Sequence, residues 1–148
     1  MDRVLVGLDS SLLAPFVLGQ AVLEANSRGR VLEIVHALHA KPHGHAANFG
    51  QDCDVCRGSV AAADSLVEEA KRVALASGVV EVLGGVIIDD DPRRALVVLA
   101  KPADVLVVGT GQRHGLKGLG SVSRYCAEHA PCPVLLVPMP SHLAPTGN

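Results

Sequence analysis

With 148 residues, 49% of them hydrophobic, the chain is long enough for one well-buried core and too short for two comfortable domains. Its net charge is -2, no run of Lys and Arg exceeds two, and Phe16, Phe49 and Tyr125 are the only aromatics, which excludes the basic footprint and the base-stacking platform of a nucleic-acid binder. No apolar run approaches the roughly 20 residues of a membrane span and the N-terminus reads as a strand instead of a signal peptide, so a soluble, cytoplasmic protein is expected, with its cysteines reduced, metal-bound or redox-active before they are structural disulfides.

Arg3 to Leu8 forms a short apolar strand, and Asp9, Ser10 and Ser11 make a polar turn able to cap a helix. Pro15 falls in the first helical turn, where a missing N–H does no harm. Leu13, Val17 and Ala21, with Leu18, Val22 and Ala25 beside them, give that helix a broad apolar face, and Gly29 ends it. Val31 to Ala37 reads as the second strand, joined to the first by a right-handed crossover.

Residues 38 to 58 carry no period, which marks a long loop of functional or disordered kind. Within and beside it lie His36, His39, His43, His45, Cys53 and Cys56. Thiolate and imidazole both suit tetrahedral zinc, so His43, His45, Cys53 and Cys56 are candidate metal ligands, although His-x-His is not the usual spacing. The Cys53-x-x-Cys56 pair equally suits a thiol/disulfide switch, and a polar loop with incidental Cys and His is the plain alternative.

Ser59 to Ser77 restores a helical pattern through Val60, Ala63, Val67, Ala70 and Ala74, with Gly78 as its stop. Val79 to Ile88 reads as the third strand, and Gly84-Gly85 within it predicts a bulge or a close backbone approach. Asp91-Pro92 supplies an N-cap and a first helical proline for a short helix over residues 94 to 101. The acidic run Asp89 to Asp91 therefore has a capping role to fill before a metal or general-base role.

Val105 to Val108 is an unbroken apolar, mostly β-branched run suited to a strand buried on both faces of a parallel sheet. A loop follows with Gly109, Gly111, Gly115, Gly118 and Gly120 among Arg113, His114 and Lys117. Such a loop brings backbone N–H groups close to an oxyanion because no Cβ blocks the approach. Ser121 opens a helix that Pro131 stops, and Val134 to Val137 is the last strand. Strand, anion-friendly loop, helix N-terminus, helix and strand is the layout by which α/β folds hold phosphate. Cys126 and Cys132 read as small buried apolar residues. The motif GxxxxGK[ST] is absent, Gly109-x-Gly111 is a poor dinucleotide fingerprint, and no Ser/His/Asp or paired-carboxylate set stands out.

The segments RVLVGLDSS, VLVVG and GSVSRYCAEHAPCPVLLVP, in this order, resemble the universal stress protein family over most of the chain. The alternation of elements already predicts an α/β fold of five parallel strands and four helices. The resemblance implies a single-domain, doubly wound, adenine nucleotide alpha hydrolase-like sheet in the order 3-2-1-4-5, over residues 1–138, with 139–148 as a C-terminal tail. Strands one and four then flank the crevice where ligands bind in open parallel sheets. By resemblance to ATP-binding members, Gly7, Asp9, Leu38, Gly109, Thr110, Gly111, Gly120, Ser121 and Val122 are candidate contacts for ATP or AMP, with magnesium. Gln112 stands where the family motif G-x2-G-x9-G-[ST] has its second glycine, and ten residues separate Gly109 from Gly120 where the motif has twelve. Either Gly111 supplies the missing flexibility, or the shortened loop fills the phosphate site, as in members that do not bind ATP. The resemblance further implies a homodimer formed through the last strand, whose VLLV edge is otherwise an exposed apolar strand. A nucleotide-binding stress-response module is thus expected first, a non-ATP-binding dimeric module with a metal- or redox-responsive loop second, and an enzyme with at most slow ATPase activity third.

Overall fold

The computed structural model describes residues 2–39, 54–111 and 119–142, with backbone only for 54–57. The strands are β1 (Arg3–Gly7), β2 (Val31–His39), β3 (Val82–Asp89), β4 (Val105–Gly109) and β5 (Val134–Val137). The helices are α1 (Ala14–Arg28), α2 (Asp54–Ala76), α3 (Pro92–Leu99) and α4 (Ser121–His129). The strands form one parallel sheet in the order β3-β2-β1-β4-β5. This is the doubly wound arrangement, and β1 and β4 pair in register from Val4↔Val105 to Val6↔Val107.

The continuous apolar runs lie where both sheet faces are covered. Val4, Leu5 and Val6 of β1 and Val105 to Val108 of β4 are all buried. Alternation along each strand splits them between two cores. Val4, Val6, Ile34 and Val107 pack with Val17, Ala21 and Val67 of α1 and α2. On the other face Leu5, Val35, Leu106 and Val108 pack with Leu96 of α3 and Cys126 of α4. Burial pushes the Cys126 thiol up to about 11, so it is a protonated core residue near neutral pH, as its sequence context suggests. Cys132 packs against the same core but is only half-buried.

Helix α2 starts at Asp54, five residues ahead of Ser59, and β2 runs on to His39; Gly58, which read as the end of a loop, lies within the helix. A glycine inside a helix costs about 1 kcal/mol relative to alanine. The apolar face of a 23-residue helix outweighs that local preference. The close approach expected at Gly84 is present: its φ is 156°, and a Cβ there would lie 2.2 Å from the Ile34 carbonyl oxygen. Asp91 caps α3 by accepting from the backbone N–H of Arg93 (3.2 Å) and Arg94 (3.4 Å), and the Arg93 side chain beside it holds its carboxyl below the usual carboxylate range. At the amino edge of the sheet the half-buried Arg3 pairs with Glu33 and also donates to the Leu99 carbonyl, tying β1 to β2 and α3.

Candidate functional site

At the carboxyl ends of β1 and β4 lies a cavity of about 220 Å³, lined on one side by Gly7, Leu8, Asp9 and Ser11 and on the other by Gly109, Gly111, Gly120, Ser121, Val122 and Ser123. Its volume is below the roughly 300–1,000 Å³ of drug-sized sites. The structure thus brings together Gly7, Asp9, Gly109, Gly111, Gly120, Ser121 and Val122, seven of the nine residues that sequence reasoning singled out. Leu38 and Thr110 do not line it. On β2 it is Ala37 that lines the cavity, one residue before Leu38, which the resemblance implied as a contact through its backbone.

The first wall is a turn held by its own polar side chains. The Asp9 carboxylate accepts the Ser11 N–H at 2.9 Å, and the Ser11 hydroxyl accepts the Leu13 N–H at 3.3 Å. Leu13 is the residue at the start of α1, and no side chain caps the helix directly. The Asp-Ser-Ser segment therefore acts through two successive turns and not as the N-cap that the sequence suggested.

The second wall is braced from behind by the Thr110 carbonyl, which accepts from the Gly120 N–H at 2.7 Å and from the Ser123 hydroxyl at 3.2 Å. Ser123 is almost fully buried and also donates toward the Gly120 carbonyl at 3.0 Å. The Thr110 N–H in turn bonds the Val137 carbonyl at 3.0 Å, anchoring the clamp to β5. Gly111 turns the chain with φ 93°, a conformation that side-chain-bearing residues rarely adopt, and a Cβ there would also press on Gly120 at 3.3 Å. Gly120 is the N-cap of α4 and offers no side chain to the first helical N–H groups, and the first turn of α4 contains no acidic residue. Those N–H groups have no intrahelical partner, and the helix dipole favours negative charge before them. The arrangement suits an anion such as phosphate at the α4 end of the cavity.

The rest of the lining is apolar: Leu13, Ala14, Val17, Ala37, Pro92, Leu96 and Val108. Nothing in the sequence marks these residues, or Ser123, as the lining of a cavity. A helical residue four or more positions from a motif gives no local sign that it reaches a strand end. Gly109, by contrast, matches the first motif glycine but has a packing role. A Cβ on it would lie 2.7 Å from Leu13 Cδ2 and 3.1 Å from Val17 Cγ2. Gly7 is similar on the opposite face, with Leu96 Cδ1 at 3.2 Å from the Cβ position.

Behind the first wall, His36 on β2 is buried and its Nδ1 has no hydrogen-bond partner among the described residues. Burial lowers its pKa, and the Asp9 carboxylate partly offsets that by favouring the charged form. Among the described residues no three or more His, Cys, Asp or Glu side chains are grouped to hold a metal ion. The candidate ligands His43, His45 and Cys53 lie outside the described residues, as do Gln112, Arg113, His114 and Lys117. Of Cys56 the structure describes only the backbone, in the first turn of α2.

The model of the universal stress protein family matches residues 1–138. Among curated proteins none matches the chain. Among solved structures, a universal stress protein from Lactobacillus plantarum has a TM-score of 0.79 at 19% identity, covering 92% of this chain and 97% of its own. A universal stress protein in complex with cAMP is 26% identical with a TM-score of 0.71, covering 92% and 95%. One from Archaeoglobus fulgidus in complex with dAMP is 24% identical with a TM-score of 0.68, covering 93% and 98%.

Proposed function

The chain belongs to the universal stress protein family, and from that premise we propose that its β1/β4 cavity binds an adenine nucleotide, AMP or ATP, and that binding makes the protein a cytoplasmic stress-response module. One observation carries the reading. The N-terminus of α4, which no side chain caps, forms one wall of the cavity, and the glycine at its N-cap puts no side chain of its own before the N–H groups of Ser121, Val122 and Ser123. A phosphate seated there gains charge-assisted hydrogen bonds and the favourable end of the helix dipole. The apolar lining by Ala37, Leu96, Val108 and Val17 suits the flat face of a base, and the Asp9 carboxylate, fixed by the Ser11 N–H, accepts hydrogen bonds from donors on the nucleotide. The family members crystallised with cAMP and with dAMP support an adenine ligand.

Magnesium enters as a counter-ion of the triphosphate, so ATP binding should depend on it and AMP binding should not. Homodimer formation through β5 belongs to the same proposal, since Leu135 and Leu136 at that edge remain half-buried in the single chain. Binding is tested by adding AMP to the isotope-labelled chain. The amides of Gly7 to Asp9 and of Gly120 to Ser123 should shift together and saturate; shifts confined to other elements would contradict the assignment.

A further inference from the structure

We propose that the outer edge of β3 is a docking site for an extended segment of a partner protein with basic ends, which joins the sheet as an added strand. β3 is eight residues long and, among the described residues, pairs on one side only, with β2. The N–H and C=O groups of alternate residues on its other side are a template for another backbone. The usual defences of an edge strand are few, for the strand VLGGVIID holds no proline or lysine, and its one charge, Asp89, stands at its end, where the carboxylate accepts the Asp91 N–H. The opposite edge differs: β5 has four residues, flanked directly by Pro133 and Pro138.

Two further features favour a strand on this edge. Leu83 and Ile88 are 42% and 40% exposed, and register places them on opposite faces, so an added strand finds an apolar neighbour whichever way its side chains alternate. Gly85, at the centre of the strand, has no atom of the described residues within 4 Å of where a Cβ would stand, which favours close approach of another backbone.

Charge selects the occupant. Exposed Glu81 precedes the strand and exposed Asp90 follows it, and neither is ion-paired among the described residues. A second copy of this chain paired antiparallel here would set acidic end against acidic end, and paired parallel would set Glu81 beside Glu81; like charges directly opposite are destabilising. A segment of alternating β-branched residues with Lys or Arg at both ends meets the apolar centre and the acidic ends at once.

The probe is a synthetic peptide of alternating Val and Thr with two Lys at each end, titrated into the full-length labelled chain and followed by amide shifts and by anisotropy of a dye on the peptide. Saturable shifts over residues 82–88 are expected, with affinity roughly tenfold above that of the same peptide carrying Glu for Lys. The double variant Glu81→Lys, Asp90→Lys, both exposed positions, should reverse that preference while the dispersion of the amide spectrum reports an intact fold. Shifts centred on β5 or on the groove between α1 and α2, equal affinity for the two peptides, or no saturation at millimolar peptide would overturn the proposal. So would concentration-dependent shifts of residues 82–88 without peptide, which would identify a second copy as the occupant.

Discussion

The connection between β4 and α4 begins and ends on glycine, and the two ends leave out a Cβ for different reasons. At Gly109 the space is filled by the protein itself, with Leu13 Cδ2 at 2.7 Å from the Cβ position. At Gly120 the nearest atoms, the Thr110 carbonyl oxygen at 3.5 Å and Gly111 Cα at 3.6 Å, are at ordinary contact distance, and the residue borders the cavity. Gly84 on β3 resembles Gly109, except that its obstacle is backbone. One residue type thus serves packing at a strand end and access at a helix start, and the two roles should separate in experiment.

The largest effect is expected from Gly84→Ala. Its Cβ meets the Ile34 carbonyl oxygen, which cannot rotate away, and the φ of 156° adds strain, so stability should fall by about 3 kcal/mol or more without a specific effect on nucleotide affinity. Gly109→Ala should cost about 1–3 kcal/mol, since Leu13 must shift in a filled core, lowering the melting temperature by several degrees. Thermal unfolding of each variant beside the wild type checks both. Gly120→Asp should do the reverse. Its φ of -67° suits any residue and a carboxylate is a good N-cap, so stability should stay within about 0.5 kcal/mol of wild type or rise slightly. The same carboxylate occupies the phosphate end and should weaken AMP binding at least tenfold. If Gly109→Ala instead lost binding at unchanged stability, the division of roles would be wrong.

A smaller effect follows from His36. Its pKa is depressed by burial in the folded chain, so the unfolded state binds the proton more readily. Folding stability should therefore decline as pH falls below the ordinary histidine value of 6.5, and be fully retained above it. Melting temperatures from pH 8 to pH 5 should show this decline, and His36→Gln should flatten it. An unchanged slope in the variant would assign the pH dependence to other groups.

Most of the fold was legible because its signals are local. Val4 to Val6 and Val105 to Val108 are continuous apolar runs, which only strands buried on both faces need, and helix ends are marked by the left-handed backbone of Gly29 and the capping carboxylate of Asp91. The start of α2 was less so, because Gly58 has weak helix preference and the apolar face of the whole helix carries it. At the site, the glycine and Ser121 positions were visible as a motif. The packing role of Gly109 was not, since Leu13 and Val17 reach it from a helix some ninety residues earlier in the chain. Ala37 was not foreseen as lining, since nothing in the β2 run VLEIVHALH marks which of its residues ends at the cavity.

Whether the cavity ending at Gly120 holds a nucleotide is decided by calorimetric titration of AMP into the wild type and into Gly120→Asp. One saturable site is expected in the wild type, with at least a tenfold loss in a variant that melts at the same temperature or slightly higher. Equal affinity in the two proteins, or no saturable heat in the wild type at millimolar AMP, would contradict it.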